Sequence, residues 1–270
     1  MTKKYALIAA ALVLIGAVRI VSTYHVFSQT FDEVNHIVCG IQWLDGDYLY
    51  DPQHPPLGRI LLAVGPWLAG ARPTYHPDIY EESMSISGYP YCLTLGRAGT
   101  LAFFLLACGV LWCWTVELFG RGAALAAVLV FTSLPPILAH SGLATIDMAA
   151  AATMFLAAWR WDRWLRRADT ESALWLGVAI SAAVLAKFSA VLFLPVVFLA
   201  IWLCRGRSFP SPTIFIALAV IPVAVSVLYR GDVSSMVAGV MVVVDHNGGG
   251  HASYLLGEYR TNGWWYFFPV

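Results

Sequence analysis

Charge is the scarcest ingredient of this chain. Sixteen basic and sixteen acidic residues make up 12% of its 270 positions, half of the roughly one quarter usual in soluble domains. They cancel to a net charge of +0, so the broad basic field of a nucleic-acid-binding protein is missing. Metal-ligand spacing is missing too. Cys39, Cys92, Cys108, Cys113 and Cys204 are odd in number and form no ligand pattern. They read as small buried hydrophobes, with a Cys39–Cys92 bridge outside the membrane left open as an alternative. Gly248-Gly249-Gly250-His251 has neither GxGxxG nor GxxxxGK spacing and reads as a loop tip. Asp45-Gly46-Asp47 lacks calcium-loop spacing and reads as a turn. No small-x-small cleavage site precedes Phe31, and Arg19 interrupts the N-terminal apolar run. That run therefore reads as an uncleaved first span rather than a signal peptide. No internal repeat or soluble second domain is visible.

What is present is apolar and aromatic. The chain is 59% hydrophobic, with 11 Trp, 12 Tyr and 14 Phe, and its mean hydropathy is +0.70. This pattern predicts an all-α, polytopic transmembrane helix bundle of about seven spans, with aromatic belts at the interfaces. The spans are predicted over 5–27, 91–118, 123–140, 147–164, 172–186, 190–204 and 213–228. Gly120-Arg121-Gly122 makes a tight turn, and Pro135-Pro136 breaks or kinks the third span. Alternation of these spans puts Lys3, Lys4, Arg121, the cluster Arg160, Arg163, Arg166 and Arg167, and Arg205 and Arg207 on one side. By the positive-inside rule that side is cytoplasmic. The chain reads as one module over 1–270, with a first extracytoplasmic loop at 28–91 and an extracytoplasmic segment at 231–270.

The loop at 28–91 is the most polar stretch. It opens with adjacent carboxylates, Asp32 and Glu33. Val34, Ile37, Val38, Ile41 and Leu44 then recur at helical spacing, which predicts an amphipathic helix lying on the membrane. His54-Pro55-Pro56-Leu57-Gly58-Arg59 predicts a turn and a helical restart. The run from Leu57 to Ala69 is too short to span and reads as a surface or re-entrant helix. His76, Asp78, Glu81 and Glu82 fall in a solvated connection. Asp32, Glu33, His54, Arg59, Arg97, Asp147 and Lys187 all fall on the outer side. Ionisable groups near spans are costly, so this clustering points to a functional site.

FDEV, then an amphipathic stretch, then HPPLGR resembles the first extracytoplasmic loop of protein O-mannosyltransferases, membrane glycosyltransferases of the GT-C class. YLLGE and GWWYFFPV resemble a segment of bacterial relatives that leads into a further span, which implies an N-terminal part of a longer protein. The resemblance implies transfer of mannose or a related sugar from a polyprenyl-phosphate donor to an acceptor hydroxyl, with inversion, on the extracytoplasmic face of the cell membrane. Asp32 and Glu33 would be catalytic, with Asp32 the general base and Glu33 orienting substrate or tuning its neighbour. His54, Arg59, Arg97, Asp147 and Lys187 would bind the donor phosphate or substrate, arginine through its planar fork. The sugar–phosphate bond supplies the energy, so no cofactor is implied and the pattern requires no metal. The implied partners are the lipid-linked sugar, membrane lipid and an acceptor protein, lipid or glycan. Blander readings stand beside these. Glu33 facing lipid headgroups, Asp147 capping a helix, Lys187 snorkelling, and His246 and His251 as plain loop residues each satisfy the sequence. A transporter or lipid flippase, or a non-catalytic remnant, is the alternative for the whole chain.

Overall fold

The structure is a computed structural model that describes residues 2–46, 51–73, 88–205, 211–250 and 252–264. Asp47, the connection carrying His76, Asp78, Glu81 and Glu82, Arg207, His251 and the end of GWWYFFPV lie outside the described residues. The described elements are ten helices and one hairpin: α1 (Thr2–Val21), α2 (Phe31–Asp45), α3 (Pro56–Leu68), α4 (Tyr89–Phe131), α5 (Pro135–Ser141), α6 (Asp147–Arg167), α7 (Thr170–Ala186), α8 (Ala190–Arg205), α9 (Ile214–Leu228), α10 (Val233–Gly248), β1 (Ser253–Leu255) and β2 (Glu258–Arg260).

The all-α bundle is as expected, but several of its helices are short for a bilayer core. Two helices are individually long and apolar enough to cross a membrane, Lys3–Val21 and Tyr89–Phe131, and the pair α9 and α10, bent by 95°, would supply a third. At 43 residues α4 would run about 65 Å if straight, twice a bilayer core. It does not run straight, because Gly120 (φ 84, ψ 176) divides it into two limbs where the tight turn was predicted. Helices α7, α8 and α9 have 17, 16 and 15 residues, or about 22–26 Å against roughly 30 Å of hydrocarbon. About seven apolar segments are therefore present only when both limbs of α4 and these short helices are counted with α1 and α6.

Helix α1 stops at Val21, short of the predicted Phe27. The hydroxyls of Ser22 and Thr23 bond back to the carbonyls of Arg19 and Ile20, both at 2.7 Å, and the chain then turns. The apolar stripe of α2 is also placed differently from expectation. Val34, Ile37, Val38 and Ile41 are all fully buried. They pack on Leu62 and Ala63 of α3, Cys92 and Leu93 of α4, and Ala144 and Ile146 ahead of α6. The stripe meets protein rather than lipid because Gly40 lets α3 come close; a Cβ there would strike the Arg59 carbonyl. Cys39 and Cys92 are both buried and not disulfide-bonded, so the bridge left open above is not formed.

The far end of α6 carries an ion network that draws the helix ends together. Asp162, 1% exposed, accepts from Arg166 of its own helix at 2.8 Å, Arg205 of α8 at 2.7 Å and the Trp114 indole of α4 at 3.0 Å. Glu117 of α4 takes Arg166 at 2.8 Å. The arginine-rich segment is thus partly a structural clasp. Two elements in the predicted outer tail were not foreseen. Helix α10 starts behind Asp232, whose carboxylate accepts from the Ser235 amide at 3.3 Å. YLLGE folds as an antiparallel hairpin with Tyr254 opposite Tyr259.

Candidate active site

Two groups of ionisable side chains form at the end of the bundle where α2, α3 and α6 begin. The first is built on Glu33. Thr30 and Glu33 form a capping box, with the Thr30 amide donating to Glu33 Oε2 at 2.8 Å. Arg97 of α4 meets the same carboxylate bidentately, Nε to Oε1 at 2.8 Å and Nη2 to Oε2 at 2.9 Å. The Ala144 amide donates to Oε1 at 2.8 Å. The remaining Arg97 donors go to the carbonyls of Tyr24 (2.7 Å), Phe27 (2.9 Å) and Ser28 (3.0 Å). Both side chains are 0% exposed. A guanidinium has five N–H groups, and all of them are used here inside the protein. Burial alone pushes the Glu33 carboxyl up, but hydrogen bonds from Arg97, Thr30 and Ala144 more than offset it, leaving its pKa below the usual carboxylate range.

Glu33 therefore has no lone pair free to act as a base or face headgroups, and Arg97 has no donor to offer a phosphate. The pair instead ties together the loop after α1, the head of α2, the wall of α4 and the loop before α6. Asp32, the neighbour of Glu33, is exposed and has no hydrogen-bond partner among the described residues. It is the unengaged carboxylate at the head of α2.

The second group lies around the start of α3. Arg59, 3% exposed, sends Nε to His36 Nδ1 at 3.3 Å and Nη1 to the carbonyls of Asp51 and His54 at 2.6 and 3.1 Å. Its Nη2 pairs with the Asp51 carboxylate. The His36 and His54 rings meet edge-on with centroids 5.3 Å apart. Burial, then the Arg59 charge, pushes His54 down to about 4, and the same causes hold His36 well below its usual value. Both rings are therefore neutral at pH 7. Burial raises the Asp51 carboxyl, but Arg59 and the Gln53 amide hold it below its ordinary value.

Lys187, at the end of α7, pairs with Asp147, the first residue of α6, at 2.7 Å. The two side chains are 32% and 43% exposed, so this pair opens to the outside. His140 Nδ1 lies 3.6 Å from the other Asp147 oxygen. Lys187 and Asp147 both act electrostatically on His54. Distant segments meet here because Gly58 of HPPLGR packs directly on Ile146; a Cβ on Gly58 would sit 2.9 Å from its Cγ2. The structure thus brings His54, Arg59, Asp147 and Lys187 together, and Glu33, Arg97 and Asp32 into the adjoining group. His36 and Asp51 were not foreseen. Asp51 carried a signal, an acid ahead of the prolines and within reach of a following arginine, whereas His36 sat inside a stripe read as apolar. His246 falls in the last turn of α10. Among the described residues no cluster of three or more His, Cys, Asp or Glu side chains is arranged to hold a metal ion.

A small cavity of about 10 Å³ behind this group is lined by Trp43, His54, Arg59, Tyr229 and Ser235 among others. The α9–α10 turn closes it. Arg230 donates to the Trp43 carbonyl at 2.6 Å and stacks over the Trp43 ring at 4.6 Å.

No curated protein sequence matches the chain. Among solved structures, the S. cerevisiae protein O-mannosyltransferase Pmt1-Pmt2 complex bound to the sugar donor is similar in fold, with a TM-score of 0.56 and 17% identity. The match covers 88% of this chain and 33% of that one, so the chain spans about a third of that relative's length. The family model described as dolichyl-phosphate-mannose-protein mannosyltransferase matches residues 9–242, which include the Asp32-Glu33 pair, HPPLGR, Arg97, Asp147 and Lys187. With that match running through the helical bundle and both polar groups, this membrane protein belongs to the dolichyl-phosphate-mannose-protein mannosyltransferase family.

Proposed function

We propose that the chain carries the catalytic head of a membrane mannosyltransferase that moves a sugar from a polyprenyl-phosphate donor to an acceptor hydroxyl on the extracytoplasmic face of the cell membrane. The observation that carries this reading is the contrast between the paired acids. Glu33 is fully engaged in the protein interior, while Asp32 beside it is exposed and unpartnered among the described residues. An unpaired carboxylate is the group able to accept a proton as the acceptor oxygen attacks the anomeric carbon. The new C–O bond forms as the bond from the sugar to the phosphate oxygen breaks on the opposite face, inverting the centre. The electron pair leaves with the lipid phosphate.

The leaving phosphate needs a cation. Arg97 is committed to Glu33 and to three carbonyls, so it acts as a positioning residue. Lys187 takes the phosphate-facing role, because it is part-exposed and carries mobile donors. Asp147 holds its ammonium in place until the donor arrives, and neutral His54 offers a hydrogen bond without adding charge. Arg59 acts through His54 and Asp51 rather than on the donor.

The test is donor affinity in detergent-solubilised protein, with a short-chain polyprenyl-phosphate mannose as the probe. A charge-assisted hydrogen bond contributes about 1.5–3 kcal/mol, so Lys187→Ala should weaken binding roughly 10- to 150-fold. Affinity unchanged in Lys187→Ala would remove Lys187 from the phosphate site. Failure of the wild type to bind the donor at all would refute the transferase reading.

A further inference from the structure

The end of α6 opposite the candidate active site carries a second feature that mannosyl transfer does not use. Thirteen to twenty residues after Asp147, or about 20–30 Å along the helix, Arg160, Arg163 and Arg167 recur at spacings that place them on one face. Arg166 and Arg205 are consumed by Asp162 and Glu117, but these three are not consumed in the same way. Arg160 and Arg167 have no carboxylate partner among the described residues, and Arg163 stands 3.7 Å from Glu117. Together with Glu171, Ser172 and Trp175 of α7 they line a pocket of about 40 Å³. At roughly 10–15 Å³ per water-sized group, that is room for about three to four such groups, comparable with the four oxygens of a phosphate.

Two indoles hold the Arg160 guanidinium. The Arg160 guanidinium lies 4.5 Å from the Trp159 ring centroid and 5.4 Å from that of Trp175, which fixes its plane while leaving its donors unused. Glu171 is the carboxylate on the wall and Asp169 is committed to capping α7 through the Ser172 amide at 2.7 Å. The lining itself holds three guanidinium groups against one carboxylate, and with Glu117 beside Arg163 it still keeps a net positive charge. Its rim is apolar on the α7 side, where Leu174, Trp175 and Val178 are 45%, 50% and 46% exposed. An exposed apolar face beside a cationic pocket matches a ligand with a phosphate head and a hydrocarbon body.

We propose that this arginine-lined pocket at the α6–α7 turn binds the phosphate headgroup of an anionic membrane lipid, in the leaflet opposite the active site. Basic pockets between membrane helices are suited to such headgroups. Occupancy would place one negative charge among three guanidinium groups that otherwise repel one another.

Detergent-solubilised wild-type protein is titrated with dihexanoyl phosphatidylglycerol, dihexanoyl phosphatidylcholine and inorganic phosphate, and binding is read by native mass spectrometry. The expected result is binding of phosphatidylglycerol in preference to both others. Arg167→Gln should lose about five-fold in affinity and Arg160→Gln with Arg167→Gln about 25-fold. Arg121→Gln, an equal charge change at an exposed site in the α4 turn, should lose nothing. Equal losses in Arg121→Gln would mean diffuse surface charge and would overturn the site. Phosphate binding as tightly as the lipid would overturn the lipid as occupant. Arg167 is exposed, so its single variant decides the matter even where the Arg160 variant fails to fold.

Discussion

Removing one partner from the Glu33–Arg97 pair should destabilise the whole bundle rather than merely weaken donor binding. Both side chains are 0% exposed, and Arg97 joins the carboxylate to the carbonyls of Tyr24, Phe27 and Ser28. Arg97→Ala strands a buried carboxylate and leaves those carbonyls without that donor. Loss of one partner of a buried ion pair costs about 3–5 kcal/mol, which is a large part of the 5–15 kcal/mol typical of a whole domain. Arg97→Lys keeps the charge but loses the fork, and three donors cannot serve acceptors arranged for five. Its cost should be roughly half that of Arg97→Ala. Glu33→Gln leaves the guanidinium charge unpaired and should fall in the same range. The assay is equilibrium unfolding in detergent, followed by tryptophan fluorescence, for wild type, Arg97→Ala, Arg97→Lys, Glu33→Gln and the Arg97→Ala, Glu33→Gln double variant. A coupling energy above about 2 kcal/mol is expected, since contacting residues in one network do not add. Additive single effects, or Arg97→Lys with wild-type stability and weakened donor binding, would refute the structural role and return Arg97 to the phosphate.

Three further outcomes follow from the geometry. Folded His54 titrates near 4 and its unfolded form near 6.5, so the unfolded state binds the extra proton between those values and stability falls as pH falls through that window. The loss is up to about 3 kcal/mol at 1.36 kcal/mol per unit, and His54→Gln should flatten the slope in pH-dependent unfolding; an unchanged slope contradicts the burial of this ring. Gly58→Val should separate α3 from Ile146, costing about 1–3 kcal/mol by overpacking, while Gly70→Val, where a Cβ meets nothing within 4 Å but φ is +88, should cost only local strain. In protein with the exposed Cys113 and Cys204 changed to Ser, a cysteine at Asp45 should react with an impermeant thiol reagent from outside the cell and one at Arg167 should not. The reverse pattern would overturn the assignment of sides.

The sequence was most informative where one physical rule acts locally. Pro56 at a helix start and the apolar stripe of α2 can each be read from neighbours in the chain. The break at Gly120 was legible for the same reason. What the stripe packs against was not legible, because membrane lipid and a neighbouring apolar helix present the same chemistry to Val34 and Ile37. Residue types also marked the site without revealing partners. An arginine near an outer helix end is equally suited to a phosphate and to a buried glutamate, and only the three carbonyls that converge on Arg97 decide between them. Glu33 and Asp32 are alike on paper, and one residue's step along the helix, about 100°, makes one structural and leaves the other open. Helix α10 was not foreseen within the segment at 231–270, although Asp232 was a sound start signal.

The account turns on Asp32 as the base. General-base catalysis contributes about 10²–10⁴-fold in rate, or roughly 3–5 kcal/mol of barrier. Asp32→Asn preserves size and leaves the Glu33–Arg97 pair untouched, but its amide cannot take the proton. The decisive measurement is mannosyl transfer beside donor binding, with polyprenyl-phosphate mannose and a serine-containing acceptor peptide, for wild type and Asp32→Asn at matched folded fraction. Transfer should fall at least 100-fold with donor affinity unchanged. Near-wild-type transfer in Asp32→Asn would contradict the account, since the exposed carboxylate at the head of α2 would then have no part in the chemistry.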